Sequence, residues 1–138
     1  MIVVDTNVIA YYLLGTPAFV AETRRFWEDA TEPLAPSLWE SELAKVIWMS
    51  IRAGALRDTD GPAKLHLARR LGIHSVTARS LWHGALLRSV QSGVAVYDTL
   101  FVELAERERV PLVTFDQRLL NAARKAKAAG RGLWGECR

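Results

Sequence analysis

A chain of 138 residues, 50% apolar and 24% charged, has the length of one domain and the makeup of a packed globule, which excludes a disordered or fibrous protein. Its one cysteine, Cys137, excludes a disulfide framework within the chain and fits a reducing cytosol. The net charge of +3 is uneven: from Gln117 onward six basic residues face Glu136 alone, while the first 116 residues hold twelve basic and fourteen acidic ones.

No apolar stretch is long enough to span a bilayer. Asp5 interrupts the N-terminal apolar run too early for a signal peptide, so a cytoplasmic protein without membrane contact is expected. An acidic body with a basic C-terminal stretch suggests a polyanionic partner handled beside an acidic site. The same cations would equally suit a solvated helix face near its C-terminal dipole.

The chain opens on Ile2-Val3-Val4, an unbroken β-branched run that reads as a buried strand. It leads into Asp5-Thr6-Asn7 and then an apolar helical segment through Val8, Ile9, Tyr12 and Leu13. Gly15-Thr16-Pro17 breaks the chain, and Thr16 is placed to cap a second helix running to about Ala30. Leu34-Ala35-Pro36 can form a brief strand only at an edge or a strand end, since proline lacks a ladder donor. Ser37 and Glu40 have the spacing of a capping box for a helix to about Ala53, stopped by Gly54.

Asp58 or Thr59 can cap a helix from about Pro62 to Leu71, followed by a short strand at Ile73–Val76. Thr77 begins a helix through Leu81, Ala85, Leu86 and Val90, broken by Gly93. Another helix follows Tyr97-Asp98-Thr99 and ends in the charged run Glu106 to Arg109. Val110 to Phe115 is the second clear strand, ending at Asp116 ahead of a helix with Leu119, Leu120, Ala123 and Ala126. Gly130 to Trp134 read as a short terminal strand. Strands alternating with helices imply a parallel sheet covered on both faces, an α/β fold, in one domain over residues 1–138.

Four acids stand out. Asp5 and Asp116 each end a strand and precede a helix, where open α/β sheets place their ligands. Each is equally suited to cap its helix. Asp98 lies near a helix start, a favourable place for any negative charge. Glu42 has Leu38 and Val46 as its neighbours four residues away, so it sits beside an apolar stripe where an unpaired carboxylate is costly. Glu40 is the substitute for it. Three of these acids at strand-to-helix junctions can converge on one sheet edge, with Glu42 reaching them from the side.

Gathered acids repel, and a hard divalent cation relieves them. Mg²⁺ suits carboxylate and water ligands, as does Mn²⁺. His66, His74 and His83 show no ligand spacing, which points away from zinc. One ion would lower the pKa of a bound water, and two about 4 Å apart would clamp both oxygens of a phosphodiester displacement. Thr6, Asn7 and Thr114 can hold the carboxylates by hydrogen bonds. Thr99 is better read as a local turn former. Arg118, Arg124, Lys125 and Lys127 would grip flanking phosphates. Trp39, Trp48 and Trp82 have the spacing of core residues, with an interface as the second option.

The segments VVDTNVIA with Asp5, PSLWESELAKVI with Glu42, AVYDTLFVELA with Asp98 and PLVTFDQRLL with Asp116 resemble the PIN-domain ribonucleases, and among them the VapC-like toxins of prokaryotic toxin–antitoxin pairs. The resemblance covers nearly the whole chain. It implies a three-layer fold with about five parallel strands, Mg²⁺ or Mn²⁺ dependence and hydrolysis of single-stranded or tRNA-like RNA. It also implies a homodimer and a VapB-like antitoxin. One departure is Lys45, where such proteins often carry asparagine three residues after the helix glutamate. PIN domains also serve in RNA processing, and a PIN scaffold that binds RNA without cutting is a further reading. An aspartyl-phosphate phosphatase would want a second acid two residues after Asp5, where this chain has Asn7. A receiver-like module would want paired acids near the first strand and a strand-end lysine.

Overall fold

Val3 and Val4 are both fully buried. Neighbouring side chains on a strand point to opposite faces, so both faces of this strand are covered. The computed structural model describes residues 1–125 and makes Ile2–Val4 (β1) an interior strand of a four-stranded, all-parallel sheet. On one side of β1 lies Pro33–Pro36 (β2), with His74–Val76 (β3) beyond it, and on the other lies Leu112–Val113 (β4). Val3 is in register with Leu34 and with Leu112, and the pairing with β4 continues past the strand through Asp5 N–H to the Val113 carbonyl at 2.9 Å. The order β3-β2-β1-β4 reverses direction between β1 and β4. That reversal opens the crevice at the strand carboxyl ends where such sheets take ligands.

Among the described residues seven α-helices surround the sheet. They are Thr6–Leu14 (α1), Val20–Asp29 (α2), Trp39–Arg52 (α3), Gly61–Arg69 (α4), Trp82–Ser92 (α5), Val96–Glu108 (α6) and Gln117–Lys125 (α7). Helix α6 lies against β1, β2 and β4, with α5 and α7 beside it, while α1 packs with α2, α3 and α4. Phe101, Ile9, Leu43, Leu104, Leu112 and Leu119 are fully or almost fully buried where these layers meet. No helix among the described residues is long and apolar enough to cross a membrane.

The turn from α5 to α6 determines where α6 begins. Gly93 ends α5 with φ 75°, a backbone state that costs glycine little. Three residues later α6 starts, anchored by the buried Thr99, whose hydroxyl donates to the Ala85 carbonyl at 2.9 Å and lies 2.8 Å from Ser89 Oγ. Further along, the Arg88 guanidinium pairs with Glu103 at 2.8 Å and with Glu106, while Arg107 also meets Glu103 at 3.3 Å. Gly84 leaves the room this needs, because a Cβ there would come within 2.3 Å of the Glu103 carboxylate.

Several local expectations give way to long-range partners. The sheet has four strands among the described residues rather than about five, and Gly130 to Trp134 lie outside those residues. Segment β2 is an interior strand, tolerated because its prolines occupy its first and last positions. The Ser37–Glu40 capping box does not form: Ser37 Oγ accepts from Ala78 N–H at 3.2 Å and exposed Glu40 accepts from Ser75 Oγ at 3.4 Å. Helix α2 begins at Val20 rather than Pro17, the Thr16 carbonyl and not its side chain taking the first N–H groups. Thr77 leads into a single 3₁₀ turn, Ala78–Ser80, before α5, and a 3₁₀ turn at Asp58–Asp60 precedes α4 without a side-chain cap.

Trp39 is core and donates its indole N–H to Ser75 Oγ at 2.8 Å. Trp48 and Trp82 are 53% and 58% exposed. Each has an arginine over its ring instead of core around it, Arg52 at 4.9 Å and Arg79 at 5.9 Å from the ring centroid. Leu81 and Ala85 take the buried face of the α5 region, turning Trp82 outward.

Replacing Thr99 by valine keeps the shape and removes the hydroxyl that ties α6 to α5. The expected loss is about 1–2 kcal/mol of stability, read as a lower urea midpoint at unchanged slope.

Candidate active site

Asp5 is placed by two elements at once. Its backbone still pairs with β4, while its side chain caps α1, Oδ1 accepting from Thr6 N–H at 2.8 Å. The second carboxylate oxygen, Oδ2, accepts from the buried Thr114 hydroxyl at 2.6 Å. Thr114 Oγ1 in turn accepts from Asp116 N–H at 2.9 Å and from Asn7 Nδ2 at 3.4 Å, and Asn7 Oδ1 accepts from Phe115 N–H at 3.4 Å. Asp116 closes this turn and caps α7, its Oδ1 accepting from Arg118 N–H at 2.9 Å and Leu119 N–H at 3.4 Å. The capping readings of Asp5 and Asp116 are therefore correct as far as they go. They are compatible with a second role, because each cap bond uses one oxygen.

Glu42 lies in the first turn of α3, and its Oε1 accepts from Thr6 Oγ1 at 2.8 Å. Thr6 thus joins the residue after Asp5 to the glutamate arriving from another helix. Asp98 sits in the first turn of α6. It is not at a strand-to-helix junction as the chain order suggests, since α6 follows α5 directly. The Thr99 hydroxyl bonds toward α5 and to its own helix rather than to any of the four acids, as a structural threonine would.

The four acids share one electrostatic neighbourhood. Burial pushes the Asp5 carboxyl up to about 7, with Thr114 opposing this and Glu42 and Asp98 adding to it. Burial also raises Glu42, against the Thr6 hydrogen bond, with Asp98 raising it further and Lys45 lowering it. Asp98 is raised by burial and by Asp116, and lowered by Arg118. Such mutual elevation marks carboxylates held together without enough positive charge. Glu40, the substitute for Glu42, is exposed and bonded to Ser75 instead.

The donor set is all oxygen, which fits a hard divalent cation. Among the described residues, however, no three acid, histidine or cysteine side chains close tightly enough around one point to ligate an ion together. Mg²⁺ is commonly held by one or two carboxylates with waters completing its octahedron. His66, His74 and His83 are all exposed and away from the acids' hydrogen-bond network.

Of the basic residues expected near phosphate, Arg118 is exposed and close enough to act on Asp98. Arg124 is exposed on α7. The side chain of Lys125, and Lys127 altogether, lie outside the described residues. The sequence alone gives no sign of the Thr114–Asp5 bond or of the Tyr11, Phe19 and Phe115 cluster, in which Tyr11 stacks on Phe19 at 4.4 Å and Phe19 meets Phe115 at 4.7 Å. This cluster braces the turn that carries Thr114 and Asp116.

Comparison with protein families matches residues 2–125 to the PIN domain. The match includes all four acids. No curated protein matches the chain.

With metal removed, stability should fall as pH rises. Asp5 keeps its proton in the folded state up to about 7, against 3.8 as its ordinary value. Its contribution is thus fully present below 3.8 and lost as pH rises through 7, on the order of 4 kcal/mol. Glu42 and Asp98 act in the same direction. In EDTA, melting temperature should drop between pH 5 and 8, and Asp98→Asn should raise it at pH 8 and flatten the slope. A slope of opposite sign would contradict this electrostatic account.

Proposed function

Because the chain belongs to the PIN-domain family, whose members are generally nucleases, we propose that it is a Mg²⁺- or Mn²⁺-dependent endoribonuclease, the VapC-type toxin of a toxin–antitoxin pair. The observation that carries the reading is that Asp5, Glu42, Asp98 and Asp116, from four separate segments, act on one another's charge beside the β1–β4 crevice, with the carboxyls of Asp5, Glu42 and Asp98 raised by burial and by neighbouring acids. A divalent cation bound there supplies a water of lowered pKa and stabilises charge on the phosphodiester.

The chain's own residues prepare for this. Thr114 and Thr6 each donate to one carboxylate, fixing Asp5 and Glu42 and favouring their charged forms. Asn7 locks the Thr114 turn. Arg118, beside Asp98, is placed to meet a flanking phosphate. Asn7 occupies the position where aspartyl-phosphate chemistry would need its second acid, and it is engaged in holding β4, which disfavours that chemistry.

The homodimer and the VapB-like antitoxin are part of the same proposal. Their support is an apolar surface that the described residues do not cover. Trp82, Leu86 and Val90 recur every four residues on one face of α5, and Trp48 and Met49 are exposed on α3. A second reading, a PIN scaffold that binds RNA without cutting it, is favoured by the absence of three directly converging ligands among the described residues.

Cleavage decides between them. Incubated with single-stranded RNA, the protein should produce fragments in Mg²⁺ or Mn²⁺ and none in EDTA. Asp5→Asn or Asp98→Asn should each lower the rate by roughly 100-fold or more while circular dichroism stays native. Wild-type activity in Asp5→Asn would remove the mechanism, and phosphate incorporated onto Asp5 would replace it. For the dimer, sedimentation of the purified chain should give twice the monomer mass, and Leu86→Glu should return it to monomer.

A further inference from the structure

Lys45 and Tyr97 have no place in the mechanism above, yet both stand next to its residues. Lys45 is exposed on α3 one turn after Glu42 and near enough to lower that carboxyl's pKa. Tyr97 immediately precedes Asp98 and is 68% exposed. The two meet across a groove of about 480 Å³ between α3 and the start of α6, whose walls also include Leu38, Glu42, Val46 and Met49. This volume lies in the range of small-molecule sites. Its lining is largely apolar, with one aromatic ring, one cation and one of the four acids.

Glu42 belongs both to this groove and to the acid cluster, so no surface separates the two. A phosphodiester positioned at the acids carries a base on each side within one nucleotide. A base displaced into the groove would find the Tyr97 ring and the Met49 thioether to stack against, with Lys45 beside its phosphate. Aromatic stacking paired with a cation is how proteins bind unpaired bases without regard to sequence. We propose that the groove between α3 and α6, edged by Tyr97 and Lys45, is a nucleobase subsite that holds an unpaired base next to the scissile phosphodiester. It rests on the nuclease reading for the position of that phosphodiester.

A peptide from a protein partner would use the apolar floor equally well. The base is favoured by Lys45, whose charge complements phosphate, and by Glu42 as a shared wall. A double-stranded substrate would not fit, because its bases are stacked and paired and cannot reach Tyr97 without being flipped out.

The test separates binding from cutting. Fluorescein-labelled single-stranded RNA of about twelve nucleotides, with one position at a time made abasic, is titrated by anisotropy in EDTA at low salt. At one position the abasic change should weaken wild-type binding about 10-fold. At that same position it should cost Tyr97→Ala nothing, and Tyr97→Phe should behave as wild type. Lys45→Gln should weaken every oligomer alike and reduce the salt dependence by about one ion. Tyr97 is largely exposed, so its substitution leaves the fold intact, which circular dichroism verifies.

The proposal is overturned if no position shows an abasic penalty that depends on Tyr97, or if no oligomer binds at all. It is also overturned if Tyr97→Ala leaves RNA binding unchanged but shifts the sedimentation of the chain, which would assign the groove to a second copy. Absence of cleavage with the Tyr97-dependent penalty intact would remove the nuclease reading alone. Cleavage without that penalty would remove the subsite alone.

Discussion

The Thr114 hydroxyl bonds to the carboxylate of Asp5 at 2.6 Å across 109 positions of sequence, and the arrangement of the site follows from that contact. It joins the ends of the two adjacent strands between which the sheet reverses direction. The same oxygen accepts the Asp116 N–H, so one threonine sets the position of two acids. Two effects compete at Asp5. Its role as a helix cap is worth about 1 kcal/mol and favours the charged carboxylate. Burial, reinforced by Glu42 and Asp98, raises its pKa from 3.8 to about 7 even with the cap bond opposing, a net of roughly 4 kcal/mol in the other direction. Burial wins, and the fold holds Asp5 at a cost that a cap alone would not justify.

Much of this site is legible in the linear chain because its parts sit at abrupt changes of local pattern. A β-branched run ending in an acid, followed by helical spacing, marks both Asp5 and Asp116, and the structure places them beyond the carboxyl ends of two adjacent strands. Glu42 is legible for a different reason: it borders an apolar stripe, where a carboxylate needs a donor, and Thr6 is that donor. Asp98 has the weakest local signal. Its position depends on a glycine turn and on Thr99 bonding to a neighbouring helix, neither of which spacing alone resolves.

What spacing misreads are polar residues and large apolar ones with distant alternatives. Ser37 has the local geometry for a capping box, yet a backbone N–H 41 residues away takes its hydroxyl. In α5 apolar residues occur on more than one face, so periodicity cannot choose which face is buried. Small Ala85 goes inward, where α6 approaches closely, and Trp82, Leu86 and Val90 go outward. The choice is made by the tight α5–α6 packing, in which Gly84 makes room for Glu103.

Helix α6 displays the two ways a protein can treat acids within 13 residues. Toward its C-terminal end Glu103 and Glu106 are matched by Arg88 and Arg107. Glu103 and Arg88 are largely shielded from solvent, so their pairing avoids the penalty of a lone buried charge. At its N-terminal end Asp98 is half-buried against Asp116, with exposed Arg118 in opposition. The helix dipole favours a negative charge there by at most about 1 kcal/mol at such exposure, which does not outweigh burial and repulsion. The paired acids hold the helix in place, while Asp98 is left at the crevice with its charged form disfavoured. A helix anchored this firmly at one end can tolerate at the other an arrangement that stability alone would not retain.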